Sequence, residues 1–558
     1  MIQRIFRTLH QEIRGLHEAA YLLGIFALLA KILALFRDRL LAHNFGASEV
    51  LDIYYAAFRI PDFIYISLAS LVAGAVLIPF IVERLRREDE SARSFFNNIF
   101  TVFSFGIIAT SIVVFFALPF LKNIVAPGFS STAQDELVLL SRIMLVSPIL
   151  LGLSGLFASV TQTLGRFLVY ALSPVLYNVG IIVGVIVFYP LWGLSGLAYG
   201  VVLGSLFHVL IQIPVLLRQK FMPRFLFPIN FSEVKNVMFL SVPRTLTLSA
   251  HHIVLLIFIS FASLMGEGAI SIFNFSFNLQ SVPLSIIGVS YSVAAFPTLA
   301  RMFSNGETSA FTLQVLSSLR HIIFWSFPVL VLFIILRAQI VRTVLGTGEF
   351  GWPETRLTAA ALALFSVSVI AQSIILLLVR GYYAAGRTMP PLVINVASSV
   401  LIIILALFFM HVFASVDFFR YFIESMLRIS FVSGTSIVML PLAFSLGTLI
   451  NVFVLWYFFK KDFSIGKTAL GVTFRHSFYA SVFMGFVAYE LLGVFDDVFD
   501  INTFWGIFSQ GLFSGIIGVI AGILLLKLLK NKEISEVSAA LHQKFWKQRP
   551  IAPDQGGL

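Results

Sequence analysis

Apolar residues occur along this chain in long blocks, each closed by a short polar break, and the blocks recur from one end to the other. They predict fourteen helices near residues 20–42, 58–82, 95–120, 136–162, 168–190, 193–217, 236–264, 269–299, 318–340, 357–384, 391–414, 434–459, 471–493 and 502–529. Each block is close to or beyond the roughly 20 residues that a helix needs to cross a hydrocarbon layer about 30 Å thick. Strands of a membrane barrel would be about half as long and would alternate apolar with polar positions, which these blocks do not. The pattern predicts an all-α polytopic membrane protein with about 14 transmembrane helices.

Composition agrees. Of 558 residues 59% are hydrophobic, 12% are charged and 60 are Phe, more apolar surface than a soluble core of this size takes up. A net charge of +11 suggests nucleic acid at first sight. With the N-terminus inside, however, most of the cations fall on cytoplasmic segments: Arg84, Arg86, Arg87 and Arg93; Arg218, Lys220, Arg224 and Lys235; Lys460, Lys461 and Lys467; and the tail from Lys527 to Arg549. External loops carry Asp496, Asp497 and Asp500 instead. This is the positive-inside asymmetry, which predicts both termini in the cytoplasm and accounts for the net charge without a nucleic-acid partner. The basic, amphipathic residues 1–19 show no cleavage pattern and read as a cytoplasmic surface helix. There is no cysteine, which excludes disulfides and thiolate sites.

The two halves repeat. "RIPDFIYISLASLVAGAVLIPFI" holds Pro61 and Pro79, and "QSVPLSIIGVSYSVAAFPTLA" holds Pro283 and Pro297. Phe129 corresponds to Phe350, and Arg166, Pro174 and Asn178 of "GRFLVYALSPVLYN" to Arg387, Pro391 and Asn395 of "GRTMPPLVIN", all offset by about 220 residues. The period covers six helices, an even number, so both copies share one orientation. The expected architecture is two six-helix bundles in parallel repeat, an N-lobe at 20–217 and a C-lobe at 236–460 joined by a cytoplasmic linker at 218–235. Two further helices at 471–529 and a cytoplasmic basic tail at 530–558 complete the chain. Such a duplication serves either a rocking transporter or a static scaffold.

Four cations interrupt the apolar blocks: Lys31, Arg37 and Arg39 on the first helix, beside Asp38, and Arg244 on the seventh. A charge at the bilayer centre costs about 2.5–3.5 kcal/mol, so these side chains are expected to face water, a partner or an anion. Lys31 and Asp38 lie seven residues apart, nearly on one face, and are expected to pair through a water or a kink, with Arg37 about 100° away. One carboxylate does not neutralise three cations, even with help from Asp52 and Glu49. The excess predicts a positive cavity for an anion, since fixed cations match phosphate oxygens with charge-assisted bonds. Arg244 has two readings, a cavity cation or an arginine snorkelling to the interface. His251 and His252 are neighbours on different faces, unlike an i,i+4 metal pair.

Other chemistry lacks support. "SIGKTAL" has Lys461 where a phosphate-binding loop requires glycine. The seventh and eleventh blocks contain no Asp or Glu with which to build a cation site. No catalytic constellation, cofactor motif or metal cluster is visible, which argues for a transporter rather than an enzyme.

The segments "LALFRDRLLAHNFGASEVLDIYYAAFRIPDF", "APGF", "GRFLVYALSPVLYN", "RGYYAAGRTMPPLVIN" and "FNLQSVPLSIIGVSYSVAAFPTL" resemble the MurJ/MviN family, lipid II flippases of the multidrug/oligosaccharidyl-lipid/polysaccharide exporter superfamily. The resemblance runs from about Ala30 to Lys460. It implies a cargo of lipid II or a similar polyprenyl pyrophosphate glycolipid, carried by alternating access to the outer leaflet for cell-wall synthesis. It also implies cavity arginines for the pyrophosphate, a lipid-tail groove along 471–529, and membrane lipids and other cell-wall synthesis proteins as partners. The resemblance carries over Lys31, Arg37, Asp38, Asp52 and Arg59 as substrate-binding residues; the charge pattern adds Arg39 and Arg244 as compensating cations, and Asn278 completes the expected set at a position where the family carries arginine. The chain departs from the family's pattern at Tyr65, at Ser70-Leu71 and at Asn278, where the family carries arginine, Glu-Gly and arginine. Alternatives are a flippase or exporter for another polyprenyl-linked glycan or small molecule, and a non-transporting envelope scaffold. The external segment Val416 to Ser430, with its mix of Phe and Arg, suits an interfacial helix that touches a partner.

Overall fold

The computed structural model describes residues 16–72, 74–85, 89–466 and 470–545. Most of the predicted N-terminal surface segment, Arg86, Arg87, Lys467 and the tail from 546 on lie outside the described residues, as does the side chain of Arg244. Among the described residues the chain is helical and has no strand. Among the described residues, thirteen helical stretches are long and apolar enough to cross a membrane, from Glu49–Leu85 to Phe504–Leu528. They match the second to the fourteenth predicted helices. The first, α1 (Leu16–Phe45), is 30 residues long and carries Lys31 within its apolar run and Arg37, Asp38 and Arg39 directly after it.

Further helices that place the site are α2 (Glu49–Ala57), α3 (Arg59–Ala69), α4 (Phe167–Val183), α5 (Leu194–Leu210), α6 (Phe231–Ser263), α7 (Ala269–Leu284), α8 (Arg337–Leu345), α9 (Met389–Ser415), α10 (Asp417–Leu427) and α11 (Met439–Asp462). Three differ from expectation. The second span is broken into α2, α3 and shorter pieces rather than running unbroken from 58. Helix α6 starts at Phe231 and so includes Glu233, whose carboxylate pairs with Arg84 at 3.2 Å near the helix end. The ninth span ends at Ile335, and α8 follows as a separate helix.

The chain divides into two compact units. One comprises Met1–Val282, Val341–Phe365 and Arg387–Asn451; the other comprises Pro283–Ile340, Ser366–Gly386 and Val452–Leu558. In the first unit, α4 packs against both α1 and α5. The α4–α5 approach depends on glycine: a Cβ on Gly180 would stand 2.2 Å from the backbone of Gly204. Any side chain there would push α4 away from its neighbour, because a packed interior has no slack of that size. Helix α1 ends at Gly46, whose φ of +60° is open to glycine and strained for other residues.

In the second unit the helices Thr308–Ile335, Leu470–Asp496 and Phe504–Leu528 pack side by side. The terminal helix Lys532–Phe545 is docked there through the buried Glu533, which accepts a 2.7 Å hydrogen bond from Thr473 Oγ1 and lies 3.7 Å from Arg320.

Candidate functional site

A cavity of about 590 Å³ opens in the first unit between α1, α4 and α7. Its apolar wall includes Leu23, Ala27 and Ala34; its polar groups are Lys31, Arg37 and Asp38 from α1, Tyr170, Tyr177 and Asn178 from α4, and Asn278 and Ser281 from α7. Small residues on α1 leave the space, and the volume is that of a typical small-ligand pocket.

The charges form a network centred on Asp38, which is 2% exposed. Arg37 donates from Nε and Nη2 to Asp38 Oδ1 at 3.0 and 2.7 Å, and from Nη1 to Asn178 Oδ1 at 3.2 Å. Asn278 Nδ2 donates to the other carboxylate oxygen at 3.0 Å. Neighbouring residues on a helix point about 100° apart, yet the guanidinium is long enough to curl back and meet the carboxylate beside it. Lys31 and Asp38 make no direct ion pair among the described residues. Lys31 Nζ instead donates to Ser281 Oγ at 3.1 Å, a neutral partner that leaves its charge uncompensated. The cavity thus holds two cations against one carboxylate. In a low-dielectric wall an excess cation attracts an anion far more strongly than it would in bulk water.

The other predicted site residues are placed elsewhere. Arg39 donates from Nη1 to Thr343 O at 2.5 Å and Val344 O at 3.2 Å, at the C-terminal end of α8, where unpaired carbonyls and the helix dipole favour a cation. Asp52, buried, accepts from Gly268 N at 2.8 Å and from Ser271 N and Oγ at 2.8 and 2.6 Å. It caps the N-terminus of α7, satisfying donors that the helix leaves free. Arg59, where α2 gives way to α3, donates from Nη2 to Asn274 Oδ1, and its Nε is buried with no partner among the described residues. Tyr65 lies half-buried on α3, and the Ser70 hydroxyl meets Thr245 Oγ1 at 2.7 Å.

Four cavity groups were not picked out from the sequence: Tyr170, Tyr177, Asn178 and Ser281. A signal existed for Asn178, which closes the repeated Pro-x-x-x-Asn motif. The tyrosines and the serine stand in apolar runs, where nothing separates a wall residue from a packing one.

Comparison with known proteins defines the class first. The fold matches that of a solved lipid II flippase MurJ in an inward closed conformation with a TM-score of 0.71, over 93% of this chain and 100% of that one, at 22% identity. It is therefore the fold of a polytopic all-α membrane protein.

Sequence then narrows the class. The family described as lipid II flippase MurJ matches residues 41–418. The probable lipid II flippase MurJ of Buchnera aphidicola is 27% identical over 381 residues, 67% of this chain and 74% of that relative. The lipid II flippase MurJ of Burkholderia cenocepacia is 26% identical over 398 residues, 70% of this chain and 77% of that relative. The chain belongs to the lipid II flippase MurJ family, whose members are transporters rather than enzymes.

Proposed function

We propose that this chain moves lipid II from the inner to the outer leaflet of the cytoplasmic membrane by alternating access, with both termini in the cytoplasm, and so supplies precursor for cell-wall synthesis. The family match across residues 41–418 carries the reading. The cavity supports it: Lys31 and Arg37 outnumber Asp38 by one charge in a space walled by apolar residues. A pyrophosphate offers oxygens for both cations, and Arg37 exchanges its bonds to Asp38 for bonds to the anion as cargo enters. The halves 20–217 and 236–460 serve as the rocking lobes, and 471–529 borders the lipid tail.

Native mass spectrometry tests the cargo directly. Wild type and Arg37→Ala are offered lipid II, undecaprenyl phosphate and an unrelated anionic phospholipid in competition. Selective binding of lipid II, lost in the variant, is the expected result. Equal weak binding of all three lipids, unchanged by the substitution, would overturn the assignment.

A further inference from the structure

The segment joining α9 to α11 holds an amphipathic helix, α10, that the transport reading leaves without a role. One residue, Val416, separates it from the end of α9, so it begins where a membrane-crossing helix has just ended. One side of α10 is settled within the protein: Ile423 and Leu427 are buried, and the Phe419 ring stacks on Phe409 of α9 at 6.3 Å. Its C-terminal end is pinned. Arg356 donates from Nε and Nη2 to Arg428 O at 3.0 and 2.6 Å, and Glu424 accepts from Thr435 Oγ1 at 2.7 Å. The helix is therefore held in one orientation.

The opposite side is bare and apolar. Phe418 is 80% exposed, Tyr421 61%, Phe422 54% and Met426 50%. At 100° per residue these four and Ser425 share one arc that carries no charge, whereas Asp417, Arg420 and Glu424 cluster roughly 140° round the helix. A helix surrounded by water would place charges on its outermost arc. What covers this arc is indicated by its neighbour. Helix α9 exposes Val393, Val400, Ile404, Leu407 and Phe408 along one side, the apolar row expected of a lipid-facing span, and α10 begins one residue past the end of that span.

We propose that α10 is an interfacial anchor whose Phe418–Tyr421–Phe422–Met426 arc lies in the boundary between headgroups and acyl chains. Aromatic side chains with a charged flank suit that layer, where apolar rings meet hydrocarbon and polar groups meet water. In the proposed topology the leaflet is the outer one, and the depth of the helix can be measured without knowing which leaflet it occupies.

The chain has no cysteine, so single-cysteine variants take a nitroxide label cleanly. Full-length Phe418→Cys, Phe422→Cys and Met426→Cys are compared in lipid nanodiscs with Asp417→Cys and Glu424→Cys, reading collisions with oxygen against collisions with a water-soluble nickel chelate. An oxygen-to-nickel ratio several-fold higher at 418, 422 and 426 than at 417 and 424 is expected. A uniform ratio means the arc faces water and overturns the proposal. Low collision with both reagents and an immobilised label at the three positions mean that protein, a second copy or another partner, covers the arc, and this also overturns it. Ser425→Cys, a near-isosteric change in the same arc, gives the same reading if loss of the aromatic residues unfolds the protein.

Discussion

Two copies of one motif, Pro-x-x-x-Asn, sit in the same compact unit and behave differently. In α4, Asn178 Oδ1 accepts from the Arg37 guanidinium and lines the cavity. In α9, Asn395 Oδ1 accepts from Asn451 Nδ2 at 2.9 Å, a bond between two neutral amides. The repeat reproduced the proline and the amide but not the charge. The motif is thus a packing device in both halves, and function comes from what the neighbouring helix offers it. Helix α1 offers Arg37; α11 offers a second asparagine.

The sharpest break of that asymmetry comes at its centre. Asp38→Ala leaves Arg37 in a largely enclosed site without its carboxylate and costs about 3–5 kcal/mol. A marked fall in the thermal midpoint in detergent, together with loss of transport, checks it. A midpoint equal to wild type would mean that Arg37 finds water or another partner, and that the network is not centred on Asp38.

A pair of matched substitutions sharpens the comparison next. Asn178→Ala removes an acceptor for a charged donor, an interaction of about 1.5–3 kcal/mol, and lowers lipid II flipping in proteoliposomes about tenfold or more. Asn395→Ala removes a neutral bond of about 0.5–1.5 kcal/mol, lowering stability while leaving the rate near that of wild type. Equal losses of transport in the two variants would erase the distinction.

Lys31 probes the uncompensated charge. Lys31→Gln keeps a donor for Ser281 and removes the cation, so affinity for the pyrophosphate headgroup is expected to fall about tenfold at low salt and less at high salt, where exposed charges are screened. Titrations at two ionic strengths show whether the loss is electrostatic. The smallest effect belongs to Arg39→Ala. It removes a cation from a helix C-terminus, costs about 0.3–1 kcal/mol, and leaves headgroup affinity unchanged. A loss of affinity there would move Arg39 into the cargo site.

Most of the spans were legible because a hydrocarbon layer imposes one length and one composition on every helix that crosses it. The break of the second span into α2 and α3 was less so, since no glycine or proline stands at Phe58 to mark it. For the site, helix α1 announced itself through charges that lipid does not tolerate. What each charge touches was not written in the pattern. Arg39 and Asp52 look like cavity residues by type, yet each meets a helix end formed by residues more than 200 positions away. Lys31 and Asp38 share a face, yet the reach of Arg37 and the hydroxyl of Ser281 decide the pairing. Asn278, at a departure from the family's pattern, still holds Asp38, through an amide hydrogen bond rather than an ion pair.

The Asp52 cap has a consequence for biogenesis. Its partner Gly268 follows it by 216 residues. At about 5–20 residues per second the ribosome takes roughly 10–40 s to make that stretch. Throughout that interval α2 has been synthesised but its carboxylate lacks the amides it is shaped to hold. The first spans are then finished only when the eighth has been delivered, and a nascent chain stalled before Gly268 is left with an unmet acidic group.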